Sequence, residues 1–455
     1  MSSRRVSDRV HGDVHLSPVV SRLISSAEVR RLDGIRQLGG CFFVYPAASH
    51  TRLEHSIGVA HLASLMGTHL KEQCDRVTER DVECLEIAGL LHDVGHGPFS
   101  HLFEEYMREH KEPSWSHEVI GEAIIERLLT RMDFEVCDIA FVKLLVSGLP
   151  PGKPIPLEVK RDESVRFLCD VVHNCTSGID VDKLDYLLRD ALAVFGATHS
   201  VDATRILRAS RIIEGNVLAF DQRVAGSIEQ IYELRSRLHM KLYQHREVLV
   251  VESMIKDALC ARNVDVDDLD GFLSLSDSTV LGCLTDDQHR RLYTHPRLHR
   301  VPFYNGHIDV RPICSACSSP TETSHAFCGS CGASTVTRVF ETTRLHDGTY
   351  VRVSPAAVVT ASEISQLVRD AVGHHDVRVF VRDVHNGIPC ASSNGWLVYG
   401  ILSTVVFCDV EGVRIHLSDT GTGCHQRFVY CYTDFDRDTD DVVSALQNVL
   451  SGLVA

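Results

Sequence analysis

The 455-residue sequence contains no run of about 18 apolar residues, the length a membrane-spanning helix needs. Met1 to Pro18 carries Arg4, Arg5, Asp8, Arg9 and Asp13 where a secretory signal would have an apolar core. Together these absences predict an intracellular protein, cytoplasmic or nuclear, with no membrane partner. Cationic excess is also missing: 46 Lys and Arg face 61 Asp and Glu, for a formal charge of -15. That balance argues against nucleic-acid binding over the whole surface, which relies on many cation–phosphate contacts, so any polyanion must meet a local basic pocket. No internal repeat or low-complexity tract interrupts the chain.

What is present is ordinary globular material, 44% hydrophobic and 24% charged, in a chain long enough for two or three cores. Sixteen cysteines without a signal segment point to reduced thiols and a metal site rather than a disulfide framework. From Thr51 to about Ala261 apolar residues recur at helical spacing, as at Leu53, Ile57 and Ala60, at Leu85, Ala88 and Leu91, and at Ile120, Ala123, Ile124 and Leu128. This half is predicted to be almost all α. Gly148 to Pro156 holds four prolines and reads as a surface loop. Beyond Thr335, runs such as Val377 to Val384, Trp396 to Val410 and Phe428 to Tyr432 predict strands, with helices near Ala361 to Ala371 and Asp436 to Leu453. The fold class is therefore α+β, with a helical domain over 1–300, a small module over 301–340 and an α+β domain over 341–455.

The small module is defined by Cys314-Ser-Ala-Cys317 and Cys328-Gly-Ser-Cys331. Four thiolates at that spacing predict a tetrahedral zinc site with no open position, hence structural, a zinc ribbon. A redox pair or plain loop cysteines are the alternatives. Such a ribbon can recruit a protein, bind nucleic acid or only staple the fold.

In the helical half, Leu90-Leu-His-Asp-Val-Gly-His-Gly-Pro-Phe-Ser-His101 ends an apolar helix with His92 beside Asp93. An imidazole and a carboxylate there can bind a hard or borderline divalent ion. The pair alone is weak, since His346-Asp347 and His375-Asp376 also occur and read as polar loop pairs. Upstream stands Ser49-His-Thr-Arg-Leu-Glu-His-Ser56, and downstream Gly178-Ile-Asp-Val-Asp-Lys-Leu-Asp-Tyr-Leu-Leu-Arg-Asp190. In the latter, Asp182, Tyr186 and Asp190 share one helical face; a helix near Ile231 to Ile255 is predicted to align Arg235, His239 and Tyr243 likewise.

With Asp8-Arg-Val-His-Gly12, Gln37-Leu-Gly-Gly40, Trp115-Ser-His-Glu118 and Leu242-Tyr-Gln-His245, these motifs resemble, in order, the SAM-and-HD-domain dNTP triphosphohydrolases and bacterial dGTPases over most of residues 1 to 260. The family members lack the cysteine module. The resemblance implies a metal set of His55, His92, Asp93 and Asp182, which Mn, Fe, Mg or Zn would suit by ligand type. It further implies that Arg52, Lys183 and Arg235 hold a triphosphate, and that Gln37, Leu38, Tyr186, Asp190 and Tyr243 hold sugar and base. His101, followed by Glu104, is the implied acid for the leaving oxygen; His117 with Glu118 is the second, and His96 also matches.

The implied reaction is hydrolysis at the α-phosphorus, releasing deoxynucleoside and intact triphosphate, by a homo-oligomer of dimer size or larger. A catalytically silent scaffold binding nucleotide or nucleic acid, and a phosphohydrolase acting on another nucleotide, are the competing readings. Activation by GTP is not expected, because the family's guanine-reading Asp, Gln and Arg are replaced in register by Ser25, Arg30 and Asp33. Metal identity, base preference and the physiological partner are not encoded in any motif.

Overall fold

The structure, a computed structural model, describes residues 3–196 and 201–294 apart from 263, 265 and 267, and beyond them the backbone of strands lying between 306 and 433. The four ribbon cysteines, His346-Asp347, His375-Asp376 and the two helices predicted near Ala361 and Asp436 lie outside the described residues.

The chain opens with an antiparallel hairpin, β1 (Arg4–Asp8) and β2 (Gly12–Leu16). Its turn is built by Asp8, whose carboxylate accepts the backbone N–H groups of Val10 and His11, both at 2.8 Å. This local side-chain bond is what aspartate offers a turn. Helices α1 (Pro18–Ile24) and α2 (Ala27–Arg30) follow, then the core pair α3 (Arg52–Lys71) and α4 (Glu79–Leu91). Thr51 caps α3 at the Glu54 N–H, and Thr78 with Asp81 forms a capping box on α4. Around this pair lie α5 (His101–His110), α6 (His117–Arg131), α7 (Val136–Ser147), α8 (Cys169–Val172) and α9 (Val181–Phe195). The Pro-rich stretch from Gly148 is a loop, as predicted.

Both members of the core pair are buried along most of their length: Val59, Leu62 and Ala63 of α3 and Leu85, Ile87 and Leu91 of α4 are fully covered. Each such leucine contributes about 1.5–3 kcal/mol by leaving water. Gly89 permits the close approach, since a Cβ there would stand 2.8 Å from Ala60 Cα.

Two expectations for this half are corrected. After α10 (Ala203–Arg208) the chain forms a second hairpin, β3 (Ser210–Ile213) and β4 (Val217–Asp221), with Gly215 and Asn216 at positive φ, so the stretch is not almost all α. Nor is Ile231 to Ile255 one helix. α11 (Ala225–Leu238) runs into a π turn at His239–Tyr243, Gln244 leaves helical geometry, and α12 (Arg246–Arg262) starts afresh. Across the wider turn the His239 and Tyr243 rings remain neighbours, with centroids 4.9 Å apart. Three short helices, α13 (Leu269–Leu273), α14 (Asp277–Leu281) and α15 (Asp286–Thr294), close the helical part.

The chain divides into two compact units, one of Met1–Thr294 with Ile388–Ala391 and Gly400–Gly421, the other of His295–Gly387, Ser392–Tyr399 and Thr422–Ala455. Strands β9 (Ile388–Ala391) and β10 (Leu397–Gly400) are also formed, and in the first unit β11 (Phe407–Cys408) pairs with β12 (Arg414–Ile415) and lies parallel to β4. In the second, β5 (Gly306–Ile313), β6 (Arg338–Arg344), β7 (Tyr350–Val353), β8 (Val377–His385) and β13 (His425–Thr433) form an antiparallel sheet in the order β7-β6-β5-β13-β8. Strands β8 and β13 fall where alternation predicted them. Among the described residues no helix is long and apolar enough to cross a membrane.

Candidate active site

Three elements bring the four expected ligand residues to one place. His55 stands in the first turns of α3, His92 caps α4, Asp93 follows it, and Asp182 lies in the first turn of α9. His55 Nε2 is 3.1 Å from His92 Nε2 and 3.0 Å from Asp182 Oδ1; His92 Nε2 is 3.5 Å from the same oxygen. Asp93 Oδ2 is 3.6 Å from the first imidazole nitrogen and 3.4 Å from the second.

The opposite face of each ring settles what these nitrogens are. His55 Nδ1 bonds Asp185 Oδ2 at 2.8 Å and His92 Nδ1 bonds the Gly89 carbonyl at 2.9 Å. Both partners only accept, so both Nδ1 atoms carry hydrogen and both Nε2 atoms of the neutral rings present lone pairs. Two lone pairs and two carboxylates then converge, a donor set that fits a divalent cation. The same field acts on protons: burial works against it, but the bonds to Asp182 and Asp185 push the His55 imidazole up to about 10. An ion would take the place of that proton. Asp182 is 35% exposed at its side chain while His55, His92 and Asp93 are at 9% or less, so the open side of the cluster is at α9.

A second cluster adjoins the first. His96 Nε2 lies 3.3 Å from Asp93 Oδ1, and its ring stacks on that of His117 with centroids 3.9 Å apart and planes 19° from parallel. His101 meets both rings edge-on. The lone pair of an imidazole lies in the ring plane, so two stacked rings do not aim at one ion, and this cluster is suited to protons rather than metal. Burial, reinforced by Arg52, holds His96 well below the ordinary imidazole value. Glu104 bonds His117 Nδ1 at 2.6 Å and is 3.9 Å from His101 Nδ1. Against burial, His101, His117 and Arg108 hold the Glu104 carboxyl below the usual range. The carboxylate thus backs His117 more closely than His101, whose side chain is 75% exposed. Glu118 bonds the Ser116 hydroxyl, and its other oxygen is 3.6 Å from His117 Nε2.

Several of the remaining expected residues are engaged with neighbouring groups. Arg52 is buried, paired with Asp93 and bonded through Nε to Ser100 Oγ at 2.7 Å. Ser100 and Phe99 hold positive φ, which sets the direction of α5 and of His101 at its start. Lys183 reaches the Gly178 carbonyl at 2.7 Å and Asp180 at 3.5 Å. Burial pushes the Tyr186 hydroxyl up, against the opposing charges of Lys183 and Arg235. Asp190 is held from both sides, by His50 Nε2 at 2.8 Å and the Tyr243 hydroxyl at 2.6 Å. Gln37 is buried with its Oε1 unpartnered, next to the half-buried Leu38.

Sequence reasoning assigned no role to Asp185, Arg189, His11 or His50. All four were signalled weakly: Asp185 follows Asp182 by three positions and Arg189 follows by four more, on one helix, and His11 and His50 each lie inside a motif matched above.

Residues 52–189 match the HD domain family. The chain is 33% identical over 334 residues to the deoxynucleoside triphosphate triphosphohydrolase SAMHD1 of Gallus gallus, covering 65% of this chain and 54% of that protein. It is 32% identical over 317 residues to the Homo sapiens protein of the same name, covering 61% and 50%. A Dictyostelium discoideum homolog is 32% identical over 294 residues, covering 61% and 54%. The chain therefore spans about half the length of these relatives. The match begins at Arg52 and ends at Arg189, so His55, His92, Asp93 and Asp182 all fall within the part of the chain that matches an HD domain.

Proposed function

We propose that this chain is a metal-dependent phosphohydrolase that cleaves deoxynucleoside triphosphates to deoxynucleoside and triphosphate. The observation that carries the reading is the convergence of His55 Nε2, His92 Nε2, Asp93 and Asp182, with both imidazoles fixed as lone-pair donors. These four residues would hold Mn, Fe, Mg or Zn. A bound divalent ion lowers the pKa of water and neutralises charge on phosphate oxygens.

The protein's own side chains supply the rest. Arg52, Lys183 and Arg235 bind the phosphate chain, since an acidic protein must concentrate cations to hold a polyanion. Gln37, Leu38, Tyr186, Asp190 and Tyr243 orient sugar and base. His117, with Glu104 accepting from its Nδ1, is the group best arranged to carry a proton at Nε2 to the leaving oxygen. His101 on the rim serves as an alternative donor, Glu118 faces the same nitrogen of His117, and neutral His96 buttresses the ring by stacking. The reading includes a structural zinc on Cys314, Cys317, Cys328 and Cys331, three domains with the bounds given above, a homo-oligomer and an intracellular setting.

The test is incubation of purified protein and Mn2+ with each dNTP, with products resolved by anion exchange. Deoxynucleoside and tripolyphosphate are expected. Diphosphate with inorganic phosphate would place cleavage elsewhere; hydrolysis of monophosphates alone would make it a different HD phosphohydrolase; tight dNTP binding without turnover would make it a scaffold.

A further inference from the structure

The hairpin at the start of the chain is tied to the metal cluster by one buried carboxylate. Asp185 has a side chain that is 0% exposed and receives four bonds. Its Oδ2 accepts from His55 Nδ1 and Arg189 Nε, each at 2.8 Å; its Oδ1 accepts from Arg189 Nη2 at 2.8 Å and His11 Nε2 at 2.6 Å. Four donors fill the acceptor sites of a carboxylate, so its orientation is fixed from both ends and no water is needed to complete it. Arg189 in turn gives its Nη1 to Asp8 at 2.9 Å. Asp8 therefore makes the hairpin turn with one oxygen and anchors the helix α9 cation with the other. Gly58 of α3 leaves the room: a Cβ there would stand 1.9 Å from Asp185 Oδ1.

We propose that His11 and Asp185 are positioning residues for the metal, the hairpin fixing the tautomer and direction of the ligand His55 through the chain His11 to Asp185 to His55. The proposal rests on the metal reading above and adds to it that metal affinity depends on a residue of the N-terminal hairpin that touches neither ion nor substrate. Without the His11 donor one carboxylate oxygen is short of a partner in a site closed to water. The carboxylate then turns toward Arg189, the one donor left on that oxygen, and the His55 lone pair loses its aim.

The experiment is titration of the chelator-stripped full chain with Mn2+, free ion followed by electron paramagnetic resonance, for the parent, His11→Phe, His11→Gln and Asp185→Asn, each with a thermal melt. Gln keeps an N–H donor where Phe keeps only the ring. His11→Phe and Asp185→Asn should bind Mn2+ roughly 10–100-fold more weakly, and His11→Gln should stay within about threefold of the parent. Parent-like affinity in His11→Phe overturns the proposal. So does a loss that persists in His11→Gln and follows a melting-temperature drop common to both, since that marks a purely structural role. If the parent itself binds no Mn2+, the metal reading fails first and this inference with it.

Discussion

Replacing Arg52 with Met removes a buried cation from beside Asp93 and should weaken the metal-free protein far more than the metal-loaded one. Both side chains are at 9% exposure or less, so Asp93 has no water to turn to. Removing one partner of a buried ion pair costs about 3–5 kcal/mol, because the other charge is left uncompensated. Arg52 also gives Nε–H to Ser100 Oγ, a bond from a charged donor whose loss costs about 1.5–3 kcal/mol whether or not metal is bound. With a divalent ion beside Asp93 the first cost disappears and only the second remains. The gap of about 3–5 kcal/mol must reappear, by linkage, as Mn2+ binding tighter in the variant by roughly 150- to 5,000-fold. Urea unfolding of stripped protein with and without saturating Mn2+ measures both sides of this cycle. Equal destabilisation in the two conditions would show that Asp93 does not face the ion.

Asp182→Ala should lose the catalytic metal and all turnover, checked by elemental analysis and product chromatography; full activity would refute the ligand assignment. Elemental analysis of the same variant should still find one zinc, from the four ribbon cysteines, and its absence from a freshly reduced, chelator-free preparation would count against the ribbon. Burial pushes the Asp277 carboxyl up to about 6 although it accepts the Phe99 and Arg36 N–H groups at 2.7 and 2.9 Å. It therefore holds its proton more tightly folded than unfolded, near 3.9, so relative to Asp277→Asn the parent's stability is fully present below about pH 4 and falls by about 3 kcal/mol as pH rises through 6; a difference flat from pH 4 to 8 in urea midpoints would refute it. Hydrolysis should not depend on GTP, since Ser25 spends its hydroxyl on the Ser21 carbonyl at 3.2 Å and Asp33 puts an anion where the family has a cation; strong GTP stimulation with GTP-driven assembly by light scattering would overturn this.

Helix existence and the ligand motifs were legible because each is short-range. The apolar repeat of α3 and α4 reports the face that must be buried, and His92 with Asp93 at a helix end, in company with the motifs at His55 and Asp182, pointed to the HD domain that residues 52–189 match. What the residues alone determined was which groups are chemically able to hold an ion. The partnerships that make them do so were decided in three dimensions. His55 meets Asp185 across 130 positions, His11 meets it across 174, and Asp190 meets His50 across 140. Glu104 of α5 lies closer to His117 of α6, at 2.6 Å, than to its own helix neighbour His101, at 3.9 Å. The π turn at His239–Tyr243 coincides with the Tyr243 bond to Asp190, a tertiary contact that helical spacing cannot contain. A lone pair becomes a metal ligand only when the far side of its ring is held, and that hold comes from a carboxylate saturated by donors of three separate elements, a condition that no local pattern of residues expresses.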